Sequence, residues 1–238
     1  MKVNDQKTQM VCISPSTHAC NSYITTADNN LIESTDRLKL LGFVFSSTPT
    51  PHAQIENILT KYRKRLWSLR YLKKAGLGNR DMCRAYVTYL RPILEYGTVA
   101  IHSMLSQEQS DLLETQQARA LKIIYGFHKS SGEVLVESGL DLLSDRRVKA
   151  VDKFAAKLVD DPKFSNMFPL RPAEQRRTRT AHKYLEMQAK TNRLYNSPFY
   201  YMRRRLNNMN TLTVVQPRPV PSALPRSQRC DFVFDEWR

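Results

Sequence analysis

Seven lysines and arginines crowd one stretch of this chain: Lys61, Arg63, Lys64, Arg65, Arg70, Lys73 and Lys74, with no acid after Glu56. The chemistry open to them is neutralisation of phosphates along a polyanion. Ile55, Ile58, Leu59, Tyr62, Leu66, Leu69 and Leu72 run through the same stretch at helical spacing. Lys61, Lys64, Arg65 and Lys74 fall mostly off that stripe and are the expected contacts, while Arg63 and Arg70 lie nearer the apolar side, where they would snorkel. The pattern also describes an ordinary solvated face, but the missing acids favour binding. A second group combines Arg176, Arg177 and Arg179 with Tyr195, Phe199, Tyr200, Tyr201, Arg203, Arg204 and Arg205. Arginines among aromatics fit a stacking and phosphate-binding surface for single strands. They equally fit a nuclear-import address, or an amphipathic helix whose aromatics are core.

Other reactive types form no catalytic set. Asp160-Asp161 is the sole Asp-Asp. It ends a predicted helix ahead of Pro162 and reads as a solvated terminus. Cys12, His18 and Cys20 lack ligand spacing and a fourth donor, so no metal is expected there. His52, His102 and His128 have no evident carboxylate or nucleophile beside them, and Tyr86, Tyr89 and Tyr96 read as core. No cofactor and no small-molecule ligand are expected. Cys12, Cys20, Cys83 and Cys230 have no short-spaced pairing and fit free thiols. No apolar run approaches a span of ~18 residues, and MKVNDQKTQM lacks a signal-peptide core. An intracellular protein without a membrane partner is expected.

The 238 residues carry a net charge of +15, unevenly spread. Residues 49–129 hold 13 basic and 6 acidic side chains and residues 171–210 hold 10 and 2. Residues 130–170 hold 6 and 7, residues 1–48 hold 4 of each, and residues 211–238 hold 4 and 3. Two basic blocks thus flank a near-neutral one, a footprint of nucleic-acid binding.

The elements that must position these groups are mainly helical, behind a small N-terminal β-sheet. TQMVCIS at 8–14 reads as a strand, YITT and LIES around Asp28-Asn29-Asn30 as a hairpin, and Leu38 to Ser46 as one strand with Gly42 inside it. After Pro49-Thr50-Pro51 comes the basic helix, stopped by Gly76 and Gly78. A second helix is expected over 79–104, with a kink at Pro92. A third follows the capping-box pair Ser106 and Gln109 and ends at Gly126. EVLVES and SDRRVKAVDKFAAKLVDD give two more, 173–206 is helix-prone, and the Pro-rich 211–238 is expected to be disordered. The expected units are 1–48, 49–129, 130–170, 171–210 and 211–238.

Five short motifs stand in order: Asn4-x-x-Lys7-Thr8, Leu41-Gly42-Phe43, Tyr89-x-Arg91-Pro92-x-Leu94-Glu95-Tyr96-Gly97, Gln116-x-x-x-Ala120-x-x-x-Ile124-x-Gly126, and Gly139-Leu140-Asp141-Leu142-Leu143 followed by Arg146-Arg147. Together they resemble the downstream part of a non-LTR (LINE-type, jockey-like) retrotransposon reverse transcriptase, over roughly two thirds of the chain. The resemblance implies a palm remnant at 1–48, with Lys7 near the incoming nucleotide's phosphates and Leu41, Gly42 and Phe43 as a primer grip. It implies a thumb at 49–129 that holds an RNA/DNA template–primer.

The family's aromatic-x-Asp-Asp strand precedes the first of these motifs, and only three residues precede Asn4. The chain is therefore expected to be a fragment whose partner is the N-terminal polymerase half. Mg2+ would be held by carboxylates of that half, and the chain alone would not polymerise. The zinc knuckle that ends some relatives has no counterpart, since no histidine follows His182. A stand-alone basic interaction protein, acting through 171–238, or a relic without function are the rival expectations.

Overall fold

The computed structural model describes residues 4, 7–13, 23–26, 29–172, 182–186 and 188–213. Its architecture is mainly helical, with two small antiparallel hairpins ahead of the helices. β1 (Tyr23–Thr25) pairs with β2 (Leu31–Glu33), Ile24 opposite Ile32. β3 (Arg37–Leu40) pairs with β4 (Phe43–Ser46), Leu40 opposite Phe43. The stretch expected to be one strand is therefore a hairpin. Its two-residue turn has φ 50° at Leu41 and 85° at Gly42, the doubly positive backbone that matches the twist of tight hairpins. The strand expected at 8–14 is reduced, among its described residues, to a single bridge between Met10 and Ser34.

α1 (His52–Lys74) buries Ile55, Ile58, Leu59, Tyr62, Leu66 and Leu69 along one stripe. It ends where Gly76, at φ 82°, lets its own N–H reach the Lys73 carbonyl and the Leu77 N–H reach that of Leu72. The helix expected over 79–104 is broken. α2 (Asn79–Ala85) widens into a π-turn (Tyr86–Leu90) before α3 (Arg91–Leu94). Pro92 has no N–H and its ring crowds the preceding turn, and a π-turn absorbs both. Gly97, at φ 71°, then starts α4 (Thr98–Ile101), followed by a 3₁₀ turn (His102–Met104).

α5 (Gln107–Tyr125) begins with the expected capping box, in which the Ser106 hydroxyl accepts from the Gln109 N–H and the Gln109 side chain accepts from the Ser106 N–H. α6 (Ser131–Ser138) repeats the device with Ser130 and Glu133. α7 (Leu143–Val159) takes its N-terminal cap from another helix. The Glu114 carboxylate accepts from the Leu143 and Ser144 N–H groups at 3.1 and 2.7 Å, a negative charge on the positive end of the helix dipole. Beyond a 3₁₀ turn at Pro162–Met167 come α8 (Asn192–Tyr195) and α9 (Pro198–Thr213). The helix-prone 173–206 is helical only in these last two elements among its described residues.

Two apolar clusters hold the helices. The larger joins Ile55, Ile58, Tyr62 and Leu69 of α1 to Met82, Tyr86, Leu90 and Leu94, to Leu113, Leu121 and Ile124 of α5, and on to Val134 and Leu143. The smaller packs Val151, Ala155 and Leu158 of α7 on Phe168, Tyr184, and Met202 and Leu206 of α9. Asn207 ties the second one down: its Oδ1 accepts from the Tyr184 N–H at 2.9 Å and its Nδ2 donates to the Tyr184 carbonyl at 3.1 Å. These clusters divide the helices at about residue 145, whereas the charge blocks divide at 129 and 170. No described helix is long and apolar enough to cross a membrane.

Candidate nucleic-acid interface

The stripe that α1 buries leaves the opposite face to solvent. Arg63, Lys64, Arg65, Arg70 and Lys74 are all exposed. None of the five has a carboxylate partner among the described residues. Arg63 and Arg70, expected nearer the apolar side, are exposed like the others. Tyr62, Leu66 and Leu69 make a stripe so narrow that the next residue on the helix already points to water. Two other cations turn inward. Lys73 donates to the Ile123 and Ile124 carbonyls at 2.5 and 3.2 Å, a cation on the unsatisfied last turn of α5. Lys61 donates to the Gly42 carbonyl at 3.4 Å and stands 5.9 Å from the centre of the Tyr96 ring.

Lys61 thereby joins the cationic helix to the tip of the β3–β4 hairpin. Asn57 Nδ2 donates to the same Gly42 carbonyl at 3.2 Å, Gln54 Oε1 accepts from the Val44 N–H at 2.9 Å, and the Tyr96 hydroxyl donates to the Leu41 carbonyl at 2.5 Å. Arg37 pairs with Glu56 at 3.0 Å along the strand. Phe43 closes the seat. Its ring lies so close to Gly97 that a Cβ there would stand 2.7 Å from it. The outcome is a rigidly held tip whose outermost side chain, Leu41, is 89% exposed in a left-handed conformation. Leu41 is thus an uncovered apolar side chain on a backbone conformation that is costly for a residue other than glycine. Lys7 is also exposed, in a turn where the Asn4 carbonyl accepts from the Lys7 N–H at 3.1 Å and the Thr8 hydroxyl at 2.9 Å. That turn gives the N-x-x-K-T spacing a local structural reason.

The described members of the second basic group make contacts inside the molecule. Arg203 is 6% exposed and stacks 4.9 Å from the Tyr200 ring centre. Arg204 lies 3.5 Å from the Tyr195 ring centre and donates to the Tyr195 carbonyl at 2.8 Å. Arg205 grips Asp152 with two bonds of 2.8 and 2.5 Å, which holds its proton more tightly than usual. Phe199 packs edge-on against Phe168, and Tyr201 shares a hydrogen bond of 3.2 Å with His102. Arg203, Arg204 and Arg205, expected as phosphate contacts, thus also make ties within the fold. Arg176, Arg177 and Arg179 lie outside the described residues, as do His18, Cys20 and residues 214–238.

Several of the remaining motif residues make contacts within the fold. Arg146 forms a two-pronged pair with Glu95, the Nη2–Oε2 arm 3.2 Å long, and Arg91 stands 3.9 Å from the same carboxylate. Arg147 is buried, donates to the Ser110 hydroxyl at 2.6 Å, and has its pKa lowered by desolvation. The Tyr62 hydroxyl donates to the Gln116 carbonyl and that of Tyr86 to Gln117 Oε1, both at 2.9 Å. Burial raises both phenols well above the ordinary range. Of the tyrosines expected in the core only Tyr86 is there; Tyr89 and Tyr96 are exposed, because the π-turn and the break at Gly97 rotate them out. Asp160 caps the C-terminus of α7, and the Asp161 carboxylate accepts from the Lys163 N–H at 3.0 Å.

Sequence reasoning missed one feature. Trp67 and Tyr71 of α1 and Tyr89 of the π-turn, 63, 65 and 70% exposed, line a groove of about 500 Å3 together with Lys64, Arg65, Ser68 and Leu72. The available signal was the i, i+4 spacing of Trp67 and Tyr71 off the apolar stripe. The position of Tyr89 depends on the π-turn and had no such signal. Comparison of the chain with family models, with curated proteins and with solved structures finds no match.

Proposed function

We propose that this chain binds nucleic acid through the phosphate backbone, with little sequence preference, as the thumb-like, template–primer-holding part of a non-LTR retrotransposon reverse transcriptase. One observation carries the binding: five exposed cations around the solvent side of α1 that have no carboxylate partner among the described residues. Such a face neutralises phosphates without reading bases. The parentage is supported by the ordered motifs. The Leu41–Gly42 tip, held against α1 by Lys61 and Asn57, would meet the primer strand beside that face.

Polymerisation is not assigned to this chain. Asp160 and Asp161 do not fit a two-metal centre, since one ends a helix and the other caps the next turn. On this reading the chain acts inside the cell and, with a chromosomal target, in the nucleus.

The test is a titration of an RNA/DNA duplex across a salt series. Five phosphate contacts give a log–log slope of up to about −4.5 at ~0.9 per contact. Charge reversal at Lys64 and Arg65 lowers the affinity and flattens the slope by about 2. A slope near zero in the parent protein overturns the proposal.

A further inference from the structure

We propose that the groove of Trp67, Tyr71 and Tyr89 is a stacking site for the unpaired bases of a single-stranded nucleic acid, with Lys64 and Arg65 holding its phosphates. This rests on the reading of α1 as a phosphate-binding face, and it adds a discrimination that a cationic face alone cannot make.

Three observations carry it. First, the three rings are large, mostly uncovered and gathered into one concavity whose lining holds two cations and no acid. Large exposed apolar surface rimmed by polar groups marks a binding site, and the charge of this rim selects an anion. Second, Trp67 and Tyr71 meet edge to face, with ring centres 6.3 Å apart and planes at 72°, so the contact between them covers at most one face of one ring. Third, Tyr89 reaches the groove because the backbone is wound as a π-turn at Tyr86–Leu90. Such turns recur at functional sites, and this one opens beside α1.

Aromatic faces with interleaved lysine and arginine bind single strands because every base has a π-face to stack. A duplex hides those faces. The groove volume of about 500 Å3 lies within the ordinary range for small-ligand pockets, ~300–1,000 Å3.

The experiment uses the full chain carrying Trp237→Phe, so that Trp67 is the one fluorescent indole. Oligo-dT, an abasic oligonucleotide of equal length and a blunt duplex are each titrated in. Oligo-dT is expected to quench Trp67, whereas the abasic strand and the duplex bind without comparable quenching. Tyr89→Ala is expected to weaken oligo-dT binding by about 5- to 150-fold and to leave duplex affinity within about twofold. Tyr89 is exposed, so circular dichroism should report an unchanged fold.

Equal quenching by the abasic strand, or a Tyr89→Ala protein that binds oligo-dT like its parent, overturns the stacking site and leaves the cationic face standing. Quenching by oligo-dT without salt-dependent duplex binding leaves the groove and removes the duplex grip. Absence of binding to all three overturns both.

Discussion

Two glycines separate backbone strain from steric exclusion. Gly76 and Gly97 both sit at positive φ, but a Cβ at Gly76 meets open space while one at Gly97 runs into the Phe43 ring. Gly76→Ala is expected to cost about 1 kcal/mol. Gly97→Ala should cost about 2–4 kcal/mol, because overpacking adds to the strain. Phe43→Leu should recover part of that loss in the double variant, and denaturant titration of the four proteins measures the coupling. His102 sets an acid limit. Its burial, with Arg147 and Arg205 beside it and Asp152 opposing, lowers its pKa to about 4. The unfolded chain therefore binds a proton that the folded chain refuses between pH about 6.5 and 4. Stability is full above that window and falls as pH drops through it. Thermal melts of His102→Gln should show a flatter dependence over the same range. Neither effect was legible in the sequence: Gly97 has no signature of its proximity to Phe43, and His102 had no evident partner.

At the scale of elements, α1 shows how one helix serves two purposes. Its narrow stripe builds the larger core and the rest of its surface carries five cations with no carboxylate partner among the described residues, while Lys61 and Lys73 turn back to tie down the hairpin and α5. Periodicity found the helix and its polar face. It could not separate Lys73, which meets carbonyls of a helix fifty residues later, from Lys74, which meets water. Capping was readable because it is local. Ser106 with Gln109 was recognised as a box, and Ser130 with Glu133 obeys the same spacing. Ser130→Ala is expected to lower stability by about 1 kcal/mol, measured by urea denaturation. The cap that Glu114 gives α7 was not readable, because donor and acceptor lie on different helices.

For the whole molecule, charge distribution matters more than total charge. The second basic block looked like a rival binding arm, yet its described arginines at 203–205 meet Tyr200, Tyr195 and Asp152. Residues 214–238 carry 4 basic and 3 acidic side chains. Truncation after Thr213 should therefore leave the salt slope of duplex binding unchanged to within about 0.5, since it removes almost no net charge. The amino-acid sequence by itself determined the helical majority, the position of α1, the N-terminal hairpin at residues 23–33, the capping boxes and the concentration of positive charge. Each of these depends on residues a few positions apart, where backbone geometry is the whole constraint. Only the tertiary structure decided which cations stay free, that Leu41 and Gly42 form a hairpin tip braced by Tyr96 and Asn57, and that Tyr89 swings out beside Trp67. Those outcomes depend on partners 15 to 55 residues away, and on a backbone that yields at Pro92 and Gly97 so that packing can be completed.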